Sequence, residues 1–205
     1  MAIQTSIITF KGKLDNIVGQ KSFKGLMALR KKVTPKNPRT QKQTIHRAKI
    51  AIIGKFAGKI KGVVNHTFKN PNRTSYSEFI NVNFENIIGG TWPTLSLLYD
   101  KVQISRGNLA NGISPNAVIE SNTVTVSWTD NSGIGDNKSS DQAILLAFNS
   151  VKQESVYTMD GGTRSSRQAT LTLPSFWSGD SVDIWLAMTN GNDYSDSVYL
   201  GNFSI

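Results

Sequence analysis

The chain has no cysteine. Disulfides, thiol nucleophiles and the commonest zinc sites are therefore excluded, while the compartment stays open. Its only histidines, His46 and His66, have no companion at metal-ligand spacing, which removes most routes to metal or acid–base chemistry. No apolar run approaches the ~18 residues of a membrane-spanning helix. The N-terminal MAIQTSIITFKGK lacks the charged region, apolar core and small-residue cleavage site of a secretory signal. These absences lead to the expectation of a cytoplasmic protein, or one exported inside a particle, with no membrane span. Acid is the most unevenly supplied residue type: the first seventy-five residues hold one, Asp15.

Against that single acid stand seventeen Lys or Arg, a net charge of about +16 for residues 1–75. Residues 76–205 hold six Lys or Arg against thirteen Asp or Glu, about −7. A basic head on a mildly acidic body calls for an electrostatic partner: nucleic acid, an anionic surface, or the body of a neighbouring copy. The charge is densest around TPKNPRTQKQTIHRAK, residues 34–49. Lys31, Lys32, Lys36, Arg39, Lys42, Arg47 and Lys49 are the candidate contacts to nucleic acid or another polyanion, each neutralised phosphate steepening the salt dependence of binding. Phe23 and Phe56 are the only rings nearby, and Phe56 belongs to an apolar stripe. Backbone contact is therefore expected, with neither base stacking nor sequence readout.

The same stretch also sets geometry. Pro35 and Pro38 bias Thr34 and Asn37 away from helical angles, and Thr40 with Gln43 fits a capping box. Ile45, Ala48, Ile52, Phe56, Ile60 and Val63 then recur every three or four residues, which predicts a helix over about 41–66. Inside it Gly54, Gly58 and Gly62 recur every fourth residue, each costing about 1 kcal/mol relative to alanine. They imply close approach by another backbone, either a second helix or a sister subunit, or else a weak, bent helix. Lys55, Lys59 and Lys61 argue against dimerisation within a membrane. Upstream, IVGQKSFKGLMALRKKV reads as a hairpin or ribbon around Gly19 and Gly25. IQTSIITF, residues 3–10, is β-prone and fits an extended arm. Downstream, Tyr76, Phe79, Ile80, Phe84 and Ile87 predict a second helix between 76 and 98, broken by GGTWP.

From residue 99 the pattern changes to short alternating or apolar runs between Asn, Gly, Asp and Ser clusters, which predicts an antiparallel β-sandwich. Inward candidates are Val124, Val126, Trp128, Leu145, Ala147, Leu171, Leu173, Ile184, Leu186 and Tyr199. Asp130, Asp136, Asp160 and Asp193 fall in turn-like settings where aspartate bonds its own backbone. A calcium site is the alternative there, but DNSGIGDNKSSD lacks a full ligand pattern, so no metal is assigned. No pair of carboxylates is singled out for glycoside hydrolysis, and neither GLMALRKK nor DGGTRSSR is a phosphate-binding loop. Trp128 and Trp185 lie in predicted strands and read as core, which leaves Trp177 as the best candidate for an exposed, sugar-stacking ring.

The succession GQKSFKG, LMALRKK, NPRTQKQTIHRAKIA and FKNPN, followed by SRGNL, TVSWTD, LLAFN and SGDSVDIWLAMTNGNDYSDSVYLG, resembles an uncharacterised family found in Bacteroidetes and their phages. The resemblance spans nearly the whole chain. Its most specific part is the NPRTxxQxxxR segment: Asn37, Pro38, Arg39, Thr40, Gln43 and Arg47. It implies a basic N-terminal module joined to an immunoglobulin-like sandwich, which fits the α+β layout read from the residues: a basic hairpin-plus-helix module at 1–75, a connecting helix at 76–98 and the sandwich at 99–205. It carries over no catalytic residue and no cofactor. The association with phages points to a non-enzymatic virion or assembly protein, its partners further copies, other virion proteins or non-specific DNA or RNA. Two alternatives stand beside it: a lone cytoplasmic nucleic-acid-binding protein, and a carbohydrate-binding or adhesion module.

Overall fold

A computed structural model describes residues 2–3, 11–21, 27–34 and 37–205. Pro35, Lys36, Phe23, Gly25 and most of the expected N-terminal arm lie outside the described residues. The class is α+β with antiparallel sheets. The chain divides into two compact units, Met1–Thr40 and Gln41–Ile205.

In the first unit, strands β1 (Ala2–Ile3), β2 (Gly12–Leu14), β3 (Ile17–Lys21) and β4 (Met27–Lys31) form one antiparallel sheet in the order β1-β4-β3-β2. Leu14 pairs with Ile17 across a two-residue turn, Asp15-Asn16, with Asp15 at φ 48°. Such turns need positive φ, which Asp and Asn tolerate better than most residues. The one acid of the basic head thus builds a hairpin.

The second unit begins with α1 (Gln41–Lys59), immediately after Thr40, where the capping pattern places the N-cap. The expected helix over 41–66 is two helices. Ile60 separates α1 from α2 (Lys61–Thr67), because the Ser155 hydroxyl donates to the carbonyl of Lys59 at 2.8 Å. Val63 N–H turns instead to the carbonyl of Ile60 at 3.0 Å. A side chain entering the i→i−4 ladder is a recognised cause of such a break.

The expected helix within 76–98 is also shorter than its pattern. α3 (Ser75–Asn83) starts at Thr74, whose side chain accepts a bond from Ser77 N–H, and ends at Phe84. The buried Asn83 amide donates to the carbonyls of Phe79 and Gln103, each at 3.0 Å, and accepts from Gln103 N–H at 2.9 Å. That clamp ties the helix end to a distant loop. The chain then forms a hairpin, β5 (Ile88–Thr91) with β6 (Thr94–Leu97), turning at a cis Trp92–Pro93 bond.

Two further sheets follow. β7 (Ile113–Glu120), β8 (Thr123–Thr129) and β11 (Gln168–Thr172) form one in the order β11-β8-β7. β9 (Gln142–Asn149), β10 (Glu154–Thr158), β12 (Ser181–Thr189) and β13 (Val198–Ser204) form the other, in the order β10-β9-β12-β13. Its two central strands are buried on both faces. Leu145 and Ala147 with Ile184 and Leu186 join Val124, Val126, Trp128 and Leu171 of the three-stranded sheet in one core. Ile144, Leu146 and Phe148 with Trp185 and Ala187 face the opposite way, into a core with the helices. Phe56 is the centre of that helical core, its ring centroid 4.9 Å from Phe148, 5.8 Å from Tyr99 and 6.3 Å from Phe79. Burying such rings is the main source of stability in a core of this size.

Of the expected inward residues only Tyr199 departs. It is partly buried and packs with Trp185 on the helical side, its hydroxyl donating to Asp183 at 2.6 Å.

Candidate functional site

Among the described basic residues, Lys31 closes β4 and Lys32 follows it, both exposed, with Lys32 N–H donating to Asn16 C=O at 2.7 Å. Arg39 is exposed at φ 47°, its N–H donating to the Asn37 side chain at 3.2 Å, an Asx turn at the corner before α1. Lys36 lies outside the described residues. Lys42 and Arg47 are exposed on α1 and Lys49 is half-buried. At ~100° per residue, Lys42, His46 and Lys49 share one face, and Arg47 stands more than a third of a turn away. α1 buries no residue before Ile53, and its first turn holds no acid. Its first three turns therefore stand partly exposed and basic.

That face borders a cleft that the sequence pattern does not reveal. Between α1 and α3 lies a cavity of about 600 Å³ lined by His46, Ile50, Arg73, Ile80, Phe84 and Glu85, among others. Beside it a hollow of about 240 Å³ is lined by Lys42, Ile45, His46, Lys49 and Phe84. His46 and Phe84 belong to both, with ring centroids 4.8 Å apart and planes inclined at 54°. The Lys49 ammonium stands 6.0 Å from the Phe84 centroid, at the outer reach of a cation–π contact. Arg73 pairs with Glu78 at 3.6 Å, and Glu78 also accepts from the Asn70 amide at 3.0 Å. A ring bordered by cations is what the sequence around 34–49 did not offer. Phe84 supplies it from the end of α3.

The glycines of α1 and α2 do not all face the same neighbour. A Cβ on Gly54 would lie 2.5 Å from the Tyr76 hydroxyl, and one on Gly62 would run into the Tyr157 hydroxyl. A Cβ on Gly58 would meet nothing within 4 Å. The close approaches within the chain are made by two tyrosine side chains.

Trp177, the expected exposed ring, is fully buried, its indole N–H donating to Glu154 at 3.3 Å. Its neighbour Phe176 takes the outer position, 61% exposed. Trp128 and Trp185 are core, as their strand positions predict.

The acids build structure. The Asp130 side chain accepts from both the backbone N–H and the hydroxyl of Ser132, bonds that hold its carboxyl below the ordinary range. Asp141 forms a fully buried ion pair with Arg164 Nε at 3.0 Å. Arg164 also donates to Asn131 at 2.6 Å and to the carbonyl of Ala110 at 2.8 Å, while its own carbonyl accepts from the Trp128 indole at 2.9 Å. One guanidinium thereby fixes three loops. Asp183 is buried with one oxygen on Tyr199 and, among the described residues, no partner for the other. Burial, and then the bond to Asp183, push the Tyr199 hydroxyl above the usual phenol range. Among the described residues no three His, Asp or Glu side chains gather as metal ligands, and no helix is long and apolar enough to cross a membrane.

A family model described as a family of unknown function, DUF6266, matches residues 9–201. The chain belongs to that family. The match takes in both units, so the basic head and the sheets are parts of one family architecture. No curated protein matches the chain.

Proposed function

We propose that this family member is a non-enzymatic structural and assembly protein, a bacteriophage particle component whose basic N-terminal part contacts packaged nucleic acid through its phosphates. The observation that carries the reading is the open presentation of charge: Lys31, Lys32, Arg39, Lys42 and Arg47 are exposed, and the sequence holds no acid between Asp15 and Glu78. Charge of one sign, spread over an exposed strand end, a corner and a helix start, suits a phosphate backbone and carries no base-specific pattern. The remainder of the chain serves as the scaffold. Seven strands in the orders β11-β8-β7 and β10-β9-β12-β13, sharing one core, support an immunoglobulin-like sandwich. Its outer surface would meet neighbouring copies or other virion proteins, with no cofactor required. Residence in the virion or the cytoplasm follows from the same reading.

The test is a titration of labelled duplex DNA with the whole chain at two salt concentrations. Affinity should fall steeply with salt, the logarithmic slope being about −0.9 per phosphate neutralised. A variant carrying Lys31→Glu, Lys32→Glu and Arg39→Glu, and another carrying Lys42→Glu and Arg47→Glu, should each bind more weakly with a shallower slope. Salt-independent binding, or unchanged slopes in both variants, would overturn the phosphate reading. A protein that stays monomeric at high concentration and never sediments with particles would overturn the assembly role.

A further inference from the structure

We infer that the cleft between α1 and α3 is a docking site for an unstacked base of single-stranded nucleic acid, with the His46–Phe84 ring pair as its platform. The inference rests on the phosphate-contact reading above and assigns it a strand form. Three observations meet at this place. The cavity of about 600 Å³ falls in the ~300–1,000 Å³ range of sites that hold a nucleotide-sized ligand. Its partition is aromatic: Phe84 is packed from below and His46, which is exposed, leans on it at 4.8 Å. Cations border it: Lys42 and Lys49 at the smaller hollow, and Arg73, which also pairs with Glu78, at the larger.

A base needs a flat, apolar face and its phosphate needs a cation within one nucleotide's length, and this cleft offers both. The acid among its lining residues is Glu85, next to Phe84 in sequence, and Ser77, Asn81 and Asn86 supply further hydrogen-bonding groups for a base edge. A duplex keeps its bases stacked and would meet only the rim. An exposed strand can place one base between the helices while Lys42 and Lys49 at the rim follow its backbone. Single-stranded nucleic acid should therefore bind this protein better than a duplex of equal length.

The experiment measures fluorescence anisotropy of a labelled oligothymidylate, and of a duplex of the same length, with the full chain at fixed salt. The wild type should favour the single strand. Phe84→Leu keeps apolar volume in the helical core but removes the ring, and it should weaken single-strand binding about five- to 150-fold, the range of one lost stacking contact. Duplex binding should stay unchanged. His46→Ala, at an exposed position, gives a second reading of the same loss with no demand on the core. Equal wild-type affinity for both forms, or variants that bind the single strand as tightly as wild type, overturns the base-docking inference and leaves the phosphate reading standing. Failure to bind either form overturns both.

Discussion

The Phe56 ring meets Phe148 edge-on, with centroids 4.9 Å apart and planes at 80°. This contact joins the basic helix α1 to β9, at the centre of the β10-β9-β12-β13 sheet. Phe56 also lies within 6.4 Å of Trp185 by ring centroid. The helix that starts among positive charges thus ends as part of the main core. Truncating the ring leaves a void among several aromatic neighbours, so Phe56→Ala should cost about 3–5 kcal/mol, read from the urea midpoint at unchanged slope. An effect near zero would mean that the helical layer is not packed on the sheet.

Arg164 and Asp141 are buried together, and breaking one partner strands the other's charge. Arg164→Ala should destabilise by about 3–5 kcal/mol, while Arg164→Met combined with Asp141→Leu should recover most of that loss. Denaturant unfolding of the two variants checks the pair. A double variant as unstable as the single one would assign the cost to the loops that Arg164 ties through Asn131 and Ala110.

Much of this was legible in the sequence, and the departures have physical causes. The period of α1, its start after Thr40 and the core positions of β8, β9 and β12 follow from hydrophobic spacing and capping chemistry. Spacing cannot show where a helix is interrupted from outside. Ser155, nearly a hundred residues away, ends α1 at Lys59, and Asn83 ends α3 by bonding Gln103. Nor can it choose between adjacent rings in a tight turn, which is why Trp177 turned inward and Phe176 outward. The cleft was hidden for a related reason. Phe84 fits an apolar stripe, and only the early end of α3 leaves it beside His46 and Lys49.

Asp180 accepts bonds from the Lys152 ammonium and the Asn149 amide, and these hold its carboxyl below the ordinary value of 3.8. With its folded pKa lower than its unfolded one, the unfolded state takes up the proton first on acidification. The stability it contributes is fully present above about pH 3.8 and is lost as pH falls through the folded value. Asp180→Asn should therefore flatten the acid limb of a stability-against-pH curve measured by urea unfolding. An unchanged limb would show that the Lys152 contact does not persist in solution.

Tyr199 gives the opposite limb. Its hydroxyl is raised above the ordinary phenol value of 10.0, chiefly by burial, so the unfolded chain ionises first as pH rises. The associated stability is complete below pH 10 and declines above it. Tyr199→Phe should remove that decline, whatever its effect at neutral pH, as measured by the alkaline unfolding midpoint. A wild type and variant with the same alkaline slope would contradict the burial of this hydroxyl.

The three glycines should respond differently to alanine. Gly58 has open space where a Cβ would sit, so Gly58→Ala should gain helix propensity without a clash and stabilise by about 0.5–1 kcal/mol. Gly54→Ala and Gly62→Ala must each displace a tyrosine hydroxyl, from Tyr76 and Tyr157 respectively, so that displacement offsets the same gain. Because both rings are partly exposed and can swing, the net change should be smaller than at Gly58 and of either sign. Thermal unfolding of the three variants ranks them. If Gly58→Ala is the destabilising one, and the loss deepens at higher protein concentration, the open glycine face is where a second copy packs.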